Sequence, residues 1–450
     1  MNQHIHLVGI GGTGMGPLAK IFLEMGHTVS GSDLQSSTTT DYLIDLGATI
    51  YFRHAAANVN GATSVVYSSA IPPENPEVLA ARQKGVKVLH RSEVLAELLN
   101  SNRGIAVAGA HGKTTITSML ALCLEKAGLD PTVLIGAHFT PFGPGAKHGK
   151  GQFVVAEADE SDGSFLRYRP EVAVVTSIEP DHLENYNGTF EALVASYRQF
   201  LDNCPPKSFL LLGIDDKIVA DFSREYECTT YGFSRAADWR AQVVKLWENK
   251  SRFKVYYRNE FFGDFELIVP GRHNISNALA CIAAGHYAGL SAPEMRAALA
   301  SFSGAKRRFE ILGKRQGAVV VDDYAHHPTE VAATIKAAQE GWDRRVIAIF
   351  QPHRYSRTKL LLEDFARSFQ GADVVILTNI YAPPPEQPIP NVSSAILAEK
   401  IRGQKGPAEV YHIPRQEDVA SFLLPRLTAN DLVLVMGAGP IWRVARDLLT

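Results

Sequence analysis

Seven consecutive residues, Gly109-Ala110-His111-Gly112-Lys113-Thr114-Thr115, have the types and order that hold a nucleotide triphosphate. Glycines let backbone N–H groups point into the loop, and the N-terminus of a following helix adds positive potential. Lys113 is expected to reach the outer phosphates and the Thr114 hydroxyl to sit on Mg²⁺, with His111 and Thr115 completing the loop. The longer phosphate-loop pattern would put glycine at position 107, which is Val107, so this loop is a shortened form beginning at Gly109.

Acids come next. Glu157-Ala158-Asp159-Glu160-Ser161-Asp162 crowds four carboxylates at the end of an apolar run. Two like charges about 4 Å apart repel by about 4 kcal/mol at an effective dielectric of about 20, so the cluster calls for a cation or solvent. Glu157, nearest the strand, is the expected Mg²⁺ ligand. His182, after Glu179-Pro180-Asp181, is expected at a second metal or the γ-phosphate. Asn274 and Asn277 share one face of a helix start and suit a purine or a phosphate. An arginine of Lys306-Arg307-Arg308 could approach the transferring phosphoryl group. Arg354 and Arg357 could clamp a carboxylate, which guanidinium forks fit.

These groups need elements to position them. Ile105–Ala108 reads as a buried strand before the phosphate turn, and Ile116, Met119, Leu120, Cys123 and Leu124 give the following helix one apolar face. Further strands are expected at 152–156, 172–178, 319–321 and 347–350, each ending near a candidate residue, and at 374–377 and 432–435. Ligand sites in open α/β sheets lie at such carboxyl ends. Pro328 can begin a helix, 383–390 reads as an extended surface loop, and Gly437-Ala438-Gly439-Pro440 as a turn before a final helix.

The chain opens with another strand and glycine turn, Gly9-Ile10-Gly11-Gly12-Thr13-Gly14-Met15. Asp33 lies where a dinucleotide site keeps its ribose acid. Alone, this stretch shows only that a diphosphate or close helix–strand packing is accommodated, with NAD the lesser reading. Ser68 and Ser69 follow a strand and read either as the rim of the same pocket or as helix caps.

At about 150 residues per domain, 450 residues suggest three, with boundaries at Asn100-Ser101-Asn102 and beside Lys306-Arg307-Arg308-Phe309, giving 1–101, 102–308 and 309–450. Charge is nearly balanced, 45 Lys+Arg against 47 Asp+Glu, so nucleic acid is not an expected partner. Four cysteines without a C-x-x-C spacing read as reduced thiols. No apolar run approaches the roughly 18 residues of a membrane span, and the first strand follows Met1-Asn2-Gln3 directly. A cytoplasmic protein is expected.

Together these stretches resemble the Mur ligases, the ATP-dependent amide-forming enzymes of peptidoglycan precursor synthesis. The resemblance spans essentially the whole chain. It is carried in order by Gly9–Met15, Gly109–Thr115, Glu157–Asp162, His273–Asn277, Arg307-Arg308-Phe309, Asp322-Asp323-Tyr324-Ala325-His326-His327-Pro328 and Pro352–Thr358. It implies three α/β domains: a Rossmann-like first domain, a central phosphate-loop ATPase domain with a mainly parallel sheet, and a Rossmann-like last domain. It implies ATP and Mg²⁺, with UDP-N-acetylmuramate and L-alanine as substrates. Gly11, Gly12, Thr13, Gly14 and Met15 would hold the UDP. Thr114, Glu157 and His182 would serve metal. His273, Asn274 and Asn277 would surround ATP, with Arg308 and Asp323 supporting it. Tyr324, His326, His327, Arg354 and Arg357 would shape the amino-acid pocket. Position 110 is Ala where the family commonly has Thr, position 13 is Thr where Ala is commoner, and Pro440 stands where a polar residue is usual.

The implied chemistry is attack of a sugar carboxylate on the γ-phosphate, then capture of the acyl phosphate by an amine. Substrate positioning is the expected role of His326 and His327, with proton removal from the amine the alternative. Closure about the two boundaries would complete the site. Lys113→Ala is expected to abolish turnover and leave the fold intact. Rivals are a ligase adding a preformed tripeptide, an NAD-dependent oxidoreductase and a nucleotide-driven switch. Oligomeric state, monomer or homodimer, is left open.

Overall fold

The computed structural model describes residues 2–136, 139, 141–143, 145–383 and 386–450. Contacts group them into two compact units. One comprises Met1–Gln242, Val255–Gly263 and Ser276–Leu299; the other comprises Val243–Lys254, Asp264–Ile275 and Ala300–Thr450.

In the first unit, β1 (His4–Val8), β2 (Thr28–Ser32), β3 (Thr49–Tyr51), β4 (Ser64–Tyr67) and β5 (Lys87–His90) form a sheet of order β3-β2-β1-β4-β5. Its pairs are parallel. The order reverses between β1 and β4, so the crevice beyond their carboxyl ends is where a ligand belongs. The first glycine turn and Ser68-Ser69 stand there.

A second sheet contains β6 (Arg103–Ala108), β7 (Thr132–Leu134), β8 (Ala146–Lys147), β9 (Phe153–Ala158), β10 (Val172–Val175), β11 (Phe209–Gly213) and β12 (Thr229–Gly232), ordered β12-β11-β10-β6-β9-β7-β8. Only β8 runs antiparallel to its neighbour among these seven. Ile105, Ala106, Val107 and Ala108 are buried, as are Val172–Val175. Strands covered on both faces read as unbroken apolar runs rather than alternations. Strand β13 (Trp239–Trp247) continues from β12 through Trp239 and Arg240. Strands β14 (Lys250–Tyr257) and β15 (Glu260–Leu267) follow in the chain. The helix Lys113–Lys126 buries Ile116, Met119, Leu120, Cys123 and Leu124, but also every other residue from Thr114 to Leu124, so it is enclosed all round rather than along one apolar face.

The second unit is built on β16 (Glu310–Arg315), β17 (Ala318–Asp323), β18 (Arg345–Phe350), β19 (Val374–Leu377), β20 (Glu409–His412) and β21 (Asp431–Met436), ordered β16-β17-β21-β18-β19-β20. Only the edge strand β16 is antiparallel. Pro328 begins the helix Pro328–Gly341 as expected. Of the loop 383–390, positions 384 and 385 lie outside the described residues. The four cysteines are free thiols. Among the described residues no helix is long and apolar enough to cross a membrane.

Candidate active site

The phosphate turn is held by the strand beside it. Thr176, just past β10, donates its hydroxyl to the His111 carbonyl at 2.6 Å, and the Ala110 N–H donates to the Ser177 carbonyl at 2.8 Å. Gly109 adopts φ +129°, and a Cβ there would collide with Thr176. Gly112, at φ +86°, would put a Cβ against the Asn277 amide. Gly109 is therefore required by conformation and by space, and Gly112 by conformation.

Lys113 is fully engaged. Its ammonium donates to Glu160 Oε2 at 2.7 Å, to Glu160 Oε1 at 2.9 Å and to the Gly109 carbonyl at 2.6 Å. Burial alone would lower its pKa, but the charges of Glu160 and Asp159 raise it above the ordinary lysine value. The cation that relieves the acidic run is thus, in part, Lys113 itself. Asp162 is relieved separately: it accepts from Ser69 at 2.9 Å and faces Arg91 at 3.5 Å.

The Glu157 pKa is raised, chiefly by burial. It accepts the Gly136 N–H at 2.6 Å and a hydrogen bond from Thr114. A buried carboxylate beside a hydroxyl is a pair of hard oxygen donors, which suits Mg²⁺. His182 sits in the left-handed region at φ +53° and faces Asp181 at 3.6 Å and Glu184 at 3.9 Å. His111 faces Glu179 at 3.4 Å. The helix Arg272–Tyr287 carries His273, Asn274 and Asn277 on its opening turns. The Asn274 side-chain amide donates to the Pro270 carbonyl at 2.7 Å, just ahead of the helix.

At the first glycine turn, Gly9 and Ile10 donate to the Ser32 carbonyl. Asp33 accepts from the Gly11 N–H at 2.9 Å and the Leu34 N–H at 2.7 Å, so it braces the turn. A Cβ on Gly14 would meet the Arg91 guanidinium at 2.8 Å. Sequence reasoning passed over Arg91; its signal is its place immediately after β5, at the carboxyl edge. Neither Ser68 nor Ser69 caps the next helix, which Asn75 does. Instead Ser69 joins Asp162 and His90.

In the second unit, Arg307 braces the fold through Asp322 at 3.0 Å and the Gly437 carbonyl at 2.6 Å. Arg308 stays one-third exposed, 3.6 Å from Glu330, with both arginines over the Tyr324 ring. Asp323 accepts from the Phe309 and Ala325 N–H groups at 2.8 and 2.7 Å. Burial pushes its carboxyl up to about 6 despite Arg308 nearby. His326 lies against the Tyr324 carbonyl at 3.0 Å and Glu330 at 3.4 Å. His327, buried, is the N-cap residue of the helix Pro328–Gly341.

Arg354 and Arg357 flank His353. The Arg357 Nη1 is 3.3 Å from His353 Nδ1. The His353 ring stacks on Tyr381 and lies 6.1 Å from His326. Burial first, then the charge of Arg357, holds His353 down at about 4, so it is neutral at pH 7. His353 was legible only as part of a motif, without a role.

Comparison with known proteins gives the family. Residues 4–103 match the Mur ligase family, catalytic domain; 107–285 the Mur ligase middle domain; and 307–439 the Mur ligase, glutamate ligase domain. A UDP-N-acetylmuramate–L-alanine ligase of Symbiobacterium thermophilum is 48% identical, over 99% of this chain and 94% of the relative. One of Pelotomaculum thermopropionicum is 44% identical, over 99% and 97%. Among solved structures, the UDP-N-acetylmuramate-alanine ligase MurC of Thermotoga maritima superposes with a TM-score of 0.83 at 28% identity, over 100% of this chain and 98% of that one. A murein peptide ligase of Psychrobacter arcticus reaches 0.70 at 26% identity, over 100% and 98%. With three family segments matched in order and nearly half of all positions shared end to end, the chain belongs to the Mur ligase family.

Proposed function

We infer that this chain joins L-alanine to the carboxylate of UDP-N-acetylmuramate at the expense of ATP, a step in peptidoglycan precursor synthesis. The observation that carries the reading is the Lys113 turn at the carboxyl end of β6, within a chain nearly half identical to relatives named for that reaction.

ATP would lie with its phosphates against Gly109–Thr115. To bind them, Lys113 turns from Glu160 to the β- and γ-phosphates. Thr114 and Glu157 would hold Mg²⁺, with His182 at a second metal or the outer phosphate. Bound there, the metal offsets triphosphate charge that one lysine cannot. The sugar diphosphate would occupy the Gly9–Gly14 turn, where Arg91 supplies positive charge. The substrate carboxylate attacks the γ-phosphorus, ADP leaves, and an acyl phosphate forms. The alanine amine then attacks the acyl carbon and phosphate departs. Arg354 and Arg357 would grip the alanine carboxylate, with His326, His327 and Tyr324 positioning the amine. Water must be kept from the acyl phosphate. We place the domain limits at 1–101, 102–308 and 309–450.

The likeness to a murein peptide ligase keeps one rival, addition of a preformed tripeptide. Purified protein with ATP, Mg²⁺ and UDP-N-acetylmuramate separates the two. Phosphate release that requires L-alanine is expected; release that requires the tripeptide instead overturns the reading. An oxidoreductase is disfavoured because the matched segments along the chain are those of Mur ligases.

A further inference from the structure

Lys20 lies in the helix Met15–Glu24, which begins at the end of the first glycine turn. It is only 6% exposed, and lysines are almost never buried without partners. Its ammonium donates to the Phe142 carbonyl at 2.7 Å and the Ala146 carbonyl at 2.6 Å. Glu24, one helical turn on, brings a carboxylate oxygen to 3.5 Å. Three partners match the three donors of an ammonium. Phe142 and Ala146 are far away in the chain, at the entry to β8 of the second sheet. The same junction is held once more, where Glu24 accepts the His148 N–H at 2.6 Å.

From that junction a short path of paired backbone reaches the ATP site. Ala146 pairs with Leu134 across β8 and β7. Leu134 pairs with Ala156 across β7 and β9, and Ala156 immediately precedes Glu157. Two residues beyond Leu134, the Gly136 N–H donates to Glu157 itself at 2.6 Å. One end of this path is the helix that follows the sugar-nucleotide turn. The other is the buried acid beside Thr114.

We infer that Lys20 is a positioning residue for the ligase reaction: it fixes the helix behind the sugar-nucleotide turn to the strand pair that sets Glu157, so that each substrate site is tuned by the other's occupancy. The inference rests on the ligase reading above. A bound diphosphate settles the Met15–Glu24 helix through its N-terminus. Lys20 passes that constraint to β8 through two charge-assisted hydrogen bonds, the stronger class. A coupling of this kind is reciprocal, so nucleotide must tighten sugar-nucleotide binding by the same factor as the reverse.

The test measures the Kd of UDP-N-acetylmuramate with and without a non-hydrolysable ATP analogue plus Mg²⁺. In the wild type the analogue is expected to tighten binding. In Lys20→Met the tightening factor should fall at least fivefold, or to one, with the KM for L-alanine within about twofold of wild type. Lys20→Arg should regain most of it. A merely structural lysine would lower thermal stability and leave the factor alone. A folded Lys20→Met protein with the wild-type factor overturns the inference, as does a wild type with a factor of one. Should Lys20→Met not fold, Glu24→Ala, at a position one-third exposed, should cut the factor at least twofold; no change there also overturns it. A wild type with no sugar-nucleotide-dependent phosphate release would instead sink the ligase reading, which keeps the two failures apart.

Discussion

The Lys113–Glu160 pair makes a prediction that separates stability from catalysis. The two side chains are 15% and 8% exposed and 2.7 Å apart. Removing the lysine leaves the buried Glu160 carboxylate without its ion-pair partner. Breaking such a pair from one side typically destabilises by about 3–5 kcal/mol. Lys113→Met should therefore weaken the first unit by that amount, contrary to the expectation that the fold would survive Lys113→Ala untouched. Glu160→Gln leaves the ammonium its Gly109 carbonyl and should lose about 1–3 kcal/mol. The double variant should lose less than the sum by about 1–3 kcal/mol, because neither partner is then left charged and alone. Unfolding of a chain with two compact units is not one transition. Urea titrations should therefore be followed by hydrogen exchange on peptides from 103–213, which read this unit alone. Both lysine variants should be inactive, whatever their stability. Additivity of the two single losses to within about 0.5 kcal/mol would refute the coupling, and with it the view that Lys113 waits for nucleotide in the grip of Glu160.

Three further outcomes follow from other sites. Arg357→Ala should raise the KM for L-alanine more than that for ATP, and NMR titration should show the His353 pKa rising from about 4, since the guanidinium charge helps hold it down. Burial alone would raise the Glu77 carboxyl, but hydrogen bonds from His6, Ser32, Asn58 and His54 hold it at about 2 against an ordinary 4.5. That depressed value stabilises the fold fully above pH 4.5 and is lost as pH falls toward 2. The difference amounts to about 3 kcal/mol, and Glu77→Gln should flatten the acid limb of stability measured by denaturant titration. Glu157→Gln should raise the Mg²⁺ concentration giving half-maximal phosphate release about tenfold or more; an unchanged requirement would remove Glu157 from the metal site.

The sheets were legible where strands are buried on both faces. Ile105–Ala108, Val172–Val175 and Leu432–Val435 are continuous apolar runs because helices or chain cover each side. Strand β16 was not, because an edge strand such as Glu310–Arg315 keeps charged side chains at its rim. The glycine turns announced themselves because position 109 tolerates no side chain. What the sequence could not say was which acid meets which cation. Glu157, Asp159, Glu160 and Asp162 look alike in one dimension, yet one binds a backbone amide and Thr114, one a lysine, and one a serine and an arginine. Asp33 and Asp323 read as ligand-facing acids, with no sign in the sequence that each also accepts main-chain N–H groups. Lys20 was invisible because its partners lie far along the chain, and Arg91 offered only its place after β5.

Arg354 has φ +69° and ψ +137°, a backbone setting that side chains avoid. Holding it there costs about 1–3 kcal/mol. A screen for heat-resistant variants would thus be drawn to glycine at this position and would discard a guanidinium that we assign to the amino-acid pocket. Heat tolerance and turnover are opposed at one residue, and selection for the first alone would erode the second without leaving any visible damage to the fold.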